Sequence, residues 1–430
     1  MSQIIDIFKE ITSIPRCSGT HSPFINYMKD ISSKAGFLCI VDEYNNILIK
    51  KEKSNAKLVF QSHYDIVCLS DNCVPVIVQN DDVLSAQNST LGSDNGIGCS
   101  YMIQLIFDGV DAEYLFTSDE EIGLIGANNL TLELKAPYML NLDSEEEAGI
   151  CIGCAGGVDI FATNSNKKII PNDENLDLYE VSISKLQGGH SGVDIDKNIP
   201  NGIKLIAQTI KEANAKLLDI NGGERINSIP VNVKAIIASK QMPIASHENI
   251  TITKIDTKSE HLNIYDEKII DFIASFENGV RSVNKDLGVV QNSINLAIIK
   301  TGLDEIKIEL SARSMANDEL AQLKDETIKM LEEHNFTVTT DGKYPAWKPD
   351  INEFTNKVLE IYKEVNAQAS LEAIHAGLEC AIFKDKYPDI KVASIGPSIE
   401  FPHSKKERVS IKSVENVFKV VKKIVDQINN

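Results

Sequence analysis

The sequence predicts an α/β protein: a catalytic domain with a mostly parallel central sheet and flanking helices, interrupted by an inserted α+β domain. Three observations predict it. In the first third of the chain, short apolar runs alternate with amphipathic helical stretches, the pattern of strands joined by helical crossovers. Several of those runs end on His, Asp or Glu, and in such sheets functional groups gather beyond the carboxyl ends of the strands. Past residue 175, apolar and polar residues alternate singly, as in an antiparallel sheet with one wet face. With 430 residues the chain is too long for one ordinary core. We therefore expect a catalytic domain in two parts, residues 1–177 and 342–430, around an insert at 178–341.

Composition narrows the function classes. Hydrophobic residues make up 43% and charged residues 24%, as in an ordinary soluble globular protein. The net charge of −19 leaves no basic surplus for nucleic acid. No apolar run approaches the roughly 18–20 residues needed to span a bilayer. Met1-Ser2-Gln3-Ile4-Ile5-Asp6 lacks the basic start and long apolar stretch of an export signal. The eight cysteines are scattered, which suits a reducing compartment better than a disulfide scaffold. The expectation is a cytoplasmic protein with no nucleic-acid or membrane partner.

Each element has a local reason. From Ser22 to Lys34, Phe24, Ile25, Met28 and Ile31 share one helical face, and Gly36 marks the stop. Two short strand-like runs follow, 37–41 and 47–50, with turn residues between them. Lys57-Leu58-Val59-Phe60 then delivers His63 and Asp65. Leu91-Gly92-Ser93-Asp94-Asn95-Gly96 opens a helix carrying Met102, Leu105 and Ile106, with Asp94 at the expected N-cap. Tyr114-Leu115-Phe116 leads to Glu120-Glu121, and Tyr138-Met139-Leu140 leads to Asp143. In the insert, Tyr179, Val181 and Ile183 alternate with polar residues, and the turn Gly188-Gly189-His190-Ser191-Gly192 precedes a helix with Ile203, Ile206 and Ile210. Pro345 and Pro349 mark the return. The strand 391–395 runs toward His403, and Val414, Val417, Phe418, Val421 and Val425 form the apolar face of a closing helix.

Imidazole and carboxylate are zinc ligands, and a catalytic zinc keeps one position open for water. His63, His403, Asp94, Glu121 and Asp143 could supply two metals with one carboxylate shared. Two metals roughly 3.5–4 Å apart can activate a bridging water. Of the pair Glu120-Glu121, one can ligate while the other shuttles protons. Asp65 could hold the second nitrogen of His63. Singly these motifs say little: His-x-Asp is commonplace, and Asp-Asn-Gly is ordinarily a turn or helix cap. Cys151-x-x-Cys154 reads as packing. His21, His247, His261 and His334 read as surface residues.

Together the motifs say more. His63-Tyr64-Asp65, Thr90-Leu91-Gly92-Ser93-Asp94-Asn95-Gly96-Ile97-Gly98, Asp119-Glu120-Glu121-Ile122-Gly123 and Asn141-Leu142-Asp143-Ser144-Glu145 occur in this order, followed by Gly188-Gly189-His190-Ser191-Gly192 and His375-Ala376-Gly377-Leu378-Glu379-Cys380. This set resembles the M20 metallopeptidases, in the subgroup of aminoacyl-histidine dipeptidases, over essentially the whole chain. The resemblance implies two divalent metal ions, Zn2+ foremost with Mn2+ or Co2+ as alternatives. His63, Asp94 and Asp143 would hold one metal, and Asp94, Glu121 and His403 the other. Glu120 would be the general base. His190, in an insert that acts as a lid, would stabilise the oxyanion. Arg313 would bind a substrate carboxylate, with Asn292 and Glu379 as further substrate contacts. The implied substrate is a dipeptide, typically Xaa-His and including the β-alanyl-histidine type; a homodimer is compatible with the family. A broader di- or tripeptidase, or an N-acyl amino acid deacylase, would keep the same centre. The chain departs from the pattern in a shorter loop from Cys68 to Ser89 and in Lys197-Asn198-Ile199-Pro200-Asn201 after the glycine-rich turn.

Overall fold

The computed structural model describes residues 3–69, 74–257, 259–285 and 287–428. They form two compact units: Met1–Gly153 with Pro349–Ala373 and Leu378–Asn430, and Cys154–Lys348 with Ile374–Gly377. The insert therefore begins at Cys154, earlier than the expected residue 178. The cause is strand pairing: Gly156–Asn164 lies antiparallel between Ile306–Ser314 and Thr337–Tyr344. The return comes at Pro349 rather than 342, because Cys154 and Trp347 exchange backbone hydrogen bonds.

The first unit is built on an eight-stranded sheet in the order Leu38–Val41, Ile47–Lys50, Glu113–Thr117, Leu58–His63, Tyr138–Asn141, Lys391–Ser394, Gly149–Cys154, Ser370–Ile374. The four strands from Glu113–Thr117 to Lys391–Ser394 are parallel. The first two strands run antiparallel, as does Gly149–Cys154 against Lys391–Ser394. Every residue of Leu58–His63 and Glu113–Thr117 is buried. Strands covered on both faces read as continuous apolar runs for this reason. Helix Gln3–Thr12 packs on Ser93–Phe107, and Ile411–Ile428 packs on Glu353–Val365. Val414, Val417, Val420, Val421 and Ile424 form the buried stripe of that last helix.

The second unit holds a nine-stranded sheet, antiparallel at every pairing described here, in which Asp177–Ile183, Val233–Ser239, Val289–Thr301 and Ile306–Ser314 are long members. Asp177–Ile183 buries Tyr179, Val181 and Ile183 and leaves the residues between them more open. Those side chains join a core with Ile203, Ile206 and Ile210 of helix Gly202–Glu212. Among the described residues, no helix is long and apolar enough to cross a membrane.

The cysteines depart from expectation. Cys17 and Cys68 are disulfide-bonded, with Cα atoms 5.6 Å apart. They are 51 residues apart in sequence, and a parallel bridge between Cys17 and Ile66 brings them together. His21 is likewise no free surface residue: it meets the Tyr64 hydroxyl at 2.9 Å and Asp119 at 3.2 Å.

Candidate metal centre

Three neighbouring parallel strands, Glu113–Thr117, Leu58–His63 and Tyr138–Asn141, end side by side, with His63 opposite Thr117. Just beyond these ends the chain carries Glu120-Glu121 and Asp143, and Asp143 and Glu120 come close to His63. His63 Nε2 lies 3.0 Å from Asp94 Oδ1 and 3.2 Å from Asp143 Oδ1. His403 Nε2 lies 2.9 Å from Asp94 Oδ2 and 2.9 Å from Glu121 Oε2. The Asp94 carboxylate thus offers one oxygen to each of two His-carboxylate sets. Ligand atoms about 2.0–2.1 Å from a tetrahedral zinc lie about 3.3 Å from one another, so each set has close to the spacing of a coordination shell.

The donor chemistry also fits divalent cations. Asp94, Glu121, Asp143 and Glu120 crowd around two imidazoles, and Glu121 Oε1 is buried without a hydrogen-bond partner. Buried carboxylates at this density need compensating positive charge. Burial pushes Glu121 up to about 7, with the Asp94 charge adding to it. Burial also holds Glu120 well above the carboxylate range; His63 opposes this, while Glu121, Asp143 and Glu379 add to it. Burial works against a charged His403, yet Asp94 and Glu121 outweigh it and raise that ring to about 11. Asp94 goes the other way: despite burial, His403 and His63 hold it well below the usual carboxylate range.

The surrounding shell differs from expectation at two residues. Asp94 does not cap its helix. Asn95 does, accepting the Gly98 N–H at 3.1 Å, which leaves the Asp94 carboxylate to the two histidines. Asn95 Nδ2 also donates to Asp143. Glycine is required at 98 because a Cβ there would collide with Asn95 Oδ1 and Ser62 Oγ. Asp65, expected to hold His63, has its carboxylate 3.6 Å from Nδ1; the hydrogen-bond distance, 3.1 Å, is to the Asp65 carbonyl. The carboxylate instead accepts the backbone N–H of Glu120 at 3.0 Å, that of Glu121 at 3.3 Å, and the Ser18 hydroxyl at 2.8 Å. It acts on the loop that carries the glutamates.

Sequence reasoning missed two buried polar side chains that brace the turn before Asp94. Arg16 is 1% exposed and donates to the carbonyls of Tyr64 and Gly92. Glu407 accepts from the N–H groups of Leu91 and Ser93 and from the Ser93 hydroxyl, fixing the turn before Asp94. A charged residue in an apolar setting was the available signal, but many such residues face solvent. Glu379, read as a substrate contact, is 0% exposed. Its Oε2 accepts from Gln61 and Thr117, which argues against direct contact with substrate.

In the second unit, the His190 Nδ1 accepts from the Gly192 N–H at 3.1 Å, so a neutral ring carries its proton on Nε2. Arg313 is 8% exposed; its Nη1 donates to Tyr344 at 2.7 Å and its Nε is buried without a partner. Asn292 donates to Glu319 at 2.6 Å and keeps Oδ1 without a partner. His375 meets Ser293 at 2.7 Å; burial, with Arg313 adding to it, lowers its pKa to about 3.

Comparison with known proteins agrees with this geometry. The model of peptidase family M20/M25/M40 matches residues 59–427. A cytosol non-specific dipeptidase of Escherichia coli (strain K12) is 29% identical over 476 residues, covering 98% of this chain and 97% of that protein. The crystal structure of an aminoacylhistidine dipeptidase from Vibrio alginolyticus superposes with a TM-score of 0.83 at 27% identity, covering 99% of this chain and 96% of that one. A tripeptidase from Staphylococcus aureus shares the fold, with a TM-score of 0.61 at 16% identity over 99% of this chain and 98% of its own. This chain therefore belongs to peptidase family M20/M25/M40 and is a metallopeptidase with dipeptidases among its relatives.

Proposed function

We propose that this protein is a cytoplasmic dipeptidase that cleaves Xaa-His among its substrates and uses two divalent cations, zinc foremost. The observation that carries this reading is the Asp94 carboxylate, with one oxygen toward the His63 and Asp143 set and the other toward the His403 and Glu121 set. His63, Asp94 and Asp143 would hold one cation and Asp94, Glu121 and His403 the other, and such cations would supply Lewis acidity and make water a better nucleophile. Glu120 takes a proton from the attacking water and passes it to the leaving nitrogen. Asp65 holds the backbone N–H of Glu120 and so aims the base. The Nε2–H of His190 is a donor for the developing oxyanion. Arg313 pairs with the substrate carboxylate through its unpartnered edge, and Asn292 Oδ1 accepts from a substrate donor.

A broader peptidase is the second reading, favoured by the non-specific dipeptidase relative and by the altered run Lys197–Asn201. A hydrolysis panel of Xaa-His, Xaa-Leu, tripeptides and N-acetyl amino acids on zinc- or manganese-reconstituted protein tests both. Dipeptides are expected to be cleaved fastest. Preferential cleavage of N-acetyl amino acids would overturn the dipeptidase reading.

A further inference from the structure

Beneath the metal ligands, each of four neighbouring parallel strands contributes one polar side chain to a shared buried ladder. In sheet order these are Thr117, Gln61, Asn141 and Ser394, and all are 0% exposed. They are joined in one direction. Ser144 Oγ lies 2.8 Å from Ser394 Oγ, and Ser394 donates to Asn141 Oδ1. Asn141 Nδ2 donates to Gln61 Oε1 at 2.5 Å. Gln61 Nε2 donates to Glu379 Oε2 at 2.6 Å and to Thr117 Oγ1 at 3.1 Å. Thr117 Oγ1 donates to the same Glu379 oxygen at 2.7 Å. The Asp143 N–H donates to Asn141 Oδ1 at 3.2 Å.

Glu379 ends this chain. Burial pushes Glu379 up to about 8, yet its Oε2 accepts from both Gln61 Nε2 and Thr117 Oγ1, so the Gln61 amide turns its NH2 toward Glu379 and its oxygen toward Asn141. That in turn aims Asn141 Oδ1 at the Asp143 N–H. Gln61 stands two residues before His63, and Thr117 three before Glu120. We propose that Glu379 is a positioning residue: as the terminal acceptor of this buried ladder, its carboxylate orients the Gln61 and Asn141 amides and holds the strand ends that carry His63, Glu120 and Asp143 at metal-binding separation. The proposal rests on the metal-hydrolase reading of the centre. A role in stability alone fits poorly, because Glu379 Oε1 is buried without a partner, and an unsatisfied buried oxygen costs stability.

The test compares Glu379→Ala, Glu379→Gln, Gln61→Leu and the double variant E379A/Q61L. Each is checked for folding by circular dichroism, then measured by Co2+ absorption titration and by kcat and KM on a dipeptide that the unmodified protein cleaves. Glu379→Ala is expected to lose about 10–100-fold in Co2+ affinity or kcat, with KM changed by less than about threefold. Glu379→Gln should recover most of the loss, since its amide oxygen can accept from both donors. Gln61→Leu should match the alanine loss, and the double variant should lose no more than either single one. A raised KM at unchanged kcat and Co2+ affinity would make Glu379 a substrate contact and overturn the proposal. Lowered thermal stability with both readouts intact would overturn it too, as would a Gln variant as damaged as the Ala variant. If Glu379→Ala does not fold, Gln61→Leu decides: wild-type Co2+ affinity and kcat there reject the ladder. If the unmodified protein cleaves no dipeptide, the functional reading fails, while the Co2+ titrations still judge the ladder.

Discussion

The two units bury polar groups by opposite rules. In the first, carboxylates crowd around two imidazoles, and their oxygens converge on Asp94 at 2.9–3.2 Å from the ring nitrogens. Like charges at that density fit cations and little else. In the second, one permanent cation, Arg313, is buried with the neutral His375, and unpartnered atoms remain on Arg313, His375, Asn292 and Asn295. Such a mixed set of donors and acceptors fits a polar organic ligand better than a metal. On the proposed reading, the chemistry falls to the strand ends carrying acids, and recognition to these incompletely bonded polar groups.

Substitutions can break that division, beginning with the largest effect. Glu120→Gln should cut kcat by about 10²–10⁴-fold, while metal content measured by elemental analysis stays unchanged. A variant with near-normal turnover would remove Glu120 from the reaction. Asp94→Ala should empty both ligand sets at once, so bound metal and activity fall together; retained stoichiometric metal would show that Asp94 is not shared. Arg313→Met should act on recognition alone, raising KM about 10–100-fold, the worth of a charged hydrogen bond, with metal content intact. A fall in metal content there would dissolve the distinction between the units.

The smallest effect concerns pH. His375 titrates at about 3 in the folded protein, against roughly 6.5 in an unfolded chain. Between those values the unfolded state binds the extra proton, so stability falls as pH drops through this window. The slope is at most about 1.4 kcal/mol per pH unit. Urea unfolding at pH 5 and pH 7.5 should show a smaller difference for His375→Gln than for the unmodified protein.

How far the sequence reached depended on whether a feature leaves a local trace. The parallel core strands were legible as apolar runs because both of their faces are covered, and chain order put His63, Glu120-Glu121 and Asp143 just past their ends. The helix beginning at Ser93 was legible too, yet its cap was misassigned. Asp94 and Asn95 are both good caps, and only the positions of His63 and His403 decide which side chain is free to turn inward. Asp65 was expected to support His63 through its carboxylate; that carboxylate lies 3.6 Å from the ring and also takes the N–H groups of Glu120 and Glu121, more than 50 residues away.

The border of the insert, the Cys17–Cys68 pair and the burial of Glu379 were not legible, and they share a cause. Each depends on a partner distant in sequence: Gly156–Asn164 takes its unit from strands near residues 310 and 340, and Glu379 takes its role from Gln61, 318 positions earlier. By itself the sequence determined the α/β class, the presence of an insert and the order of the candidate ligands along the chain, since periodicity and chain order record which residues face a core and which end a strand. The tertiary structure alone decided the hydrogen-bond partners of Asp65, Asn95, Glu379 and Glu407. A buried polar atom bonds to whatever group the fold brings within about 3 Å, and no local pattern encodes that choice.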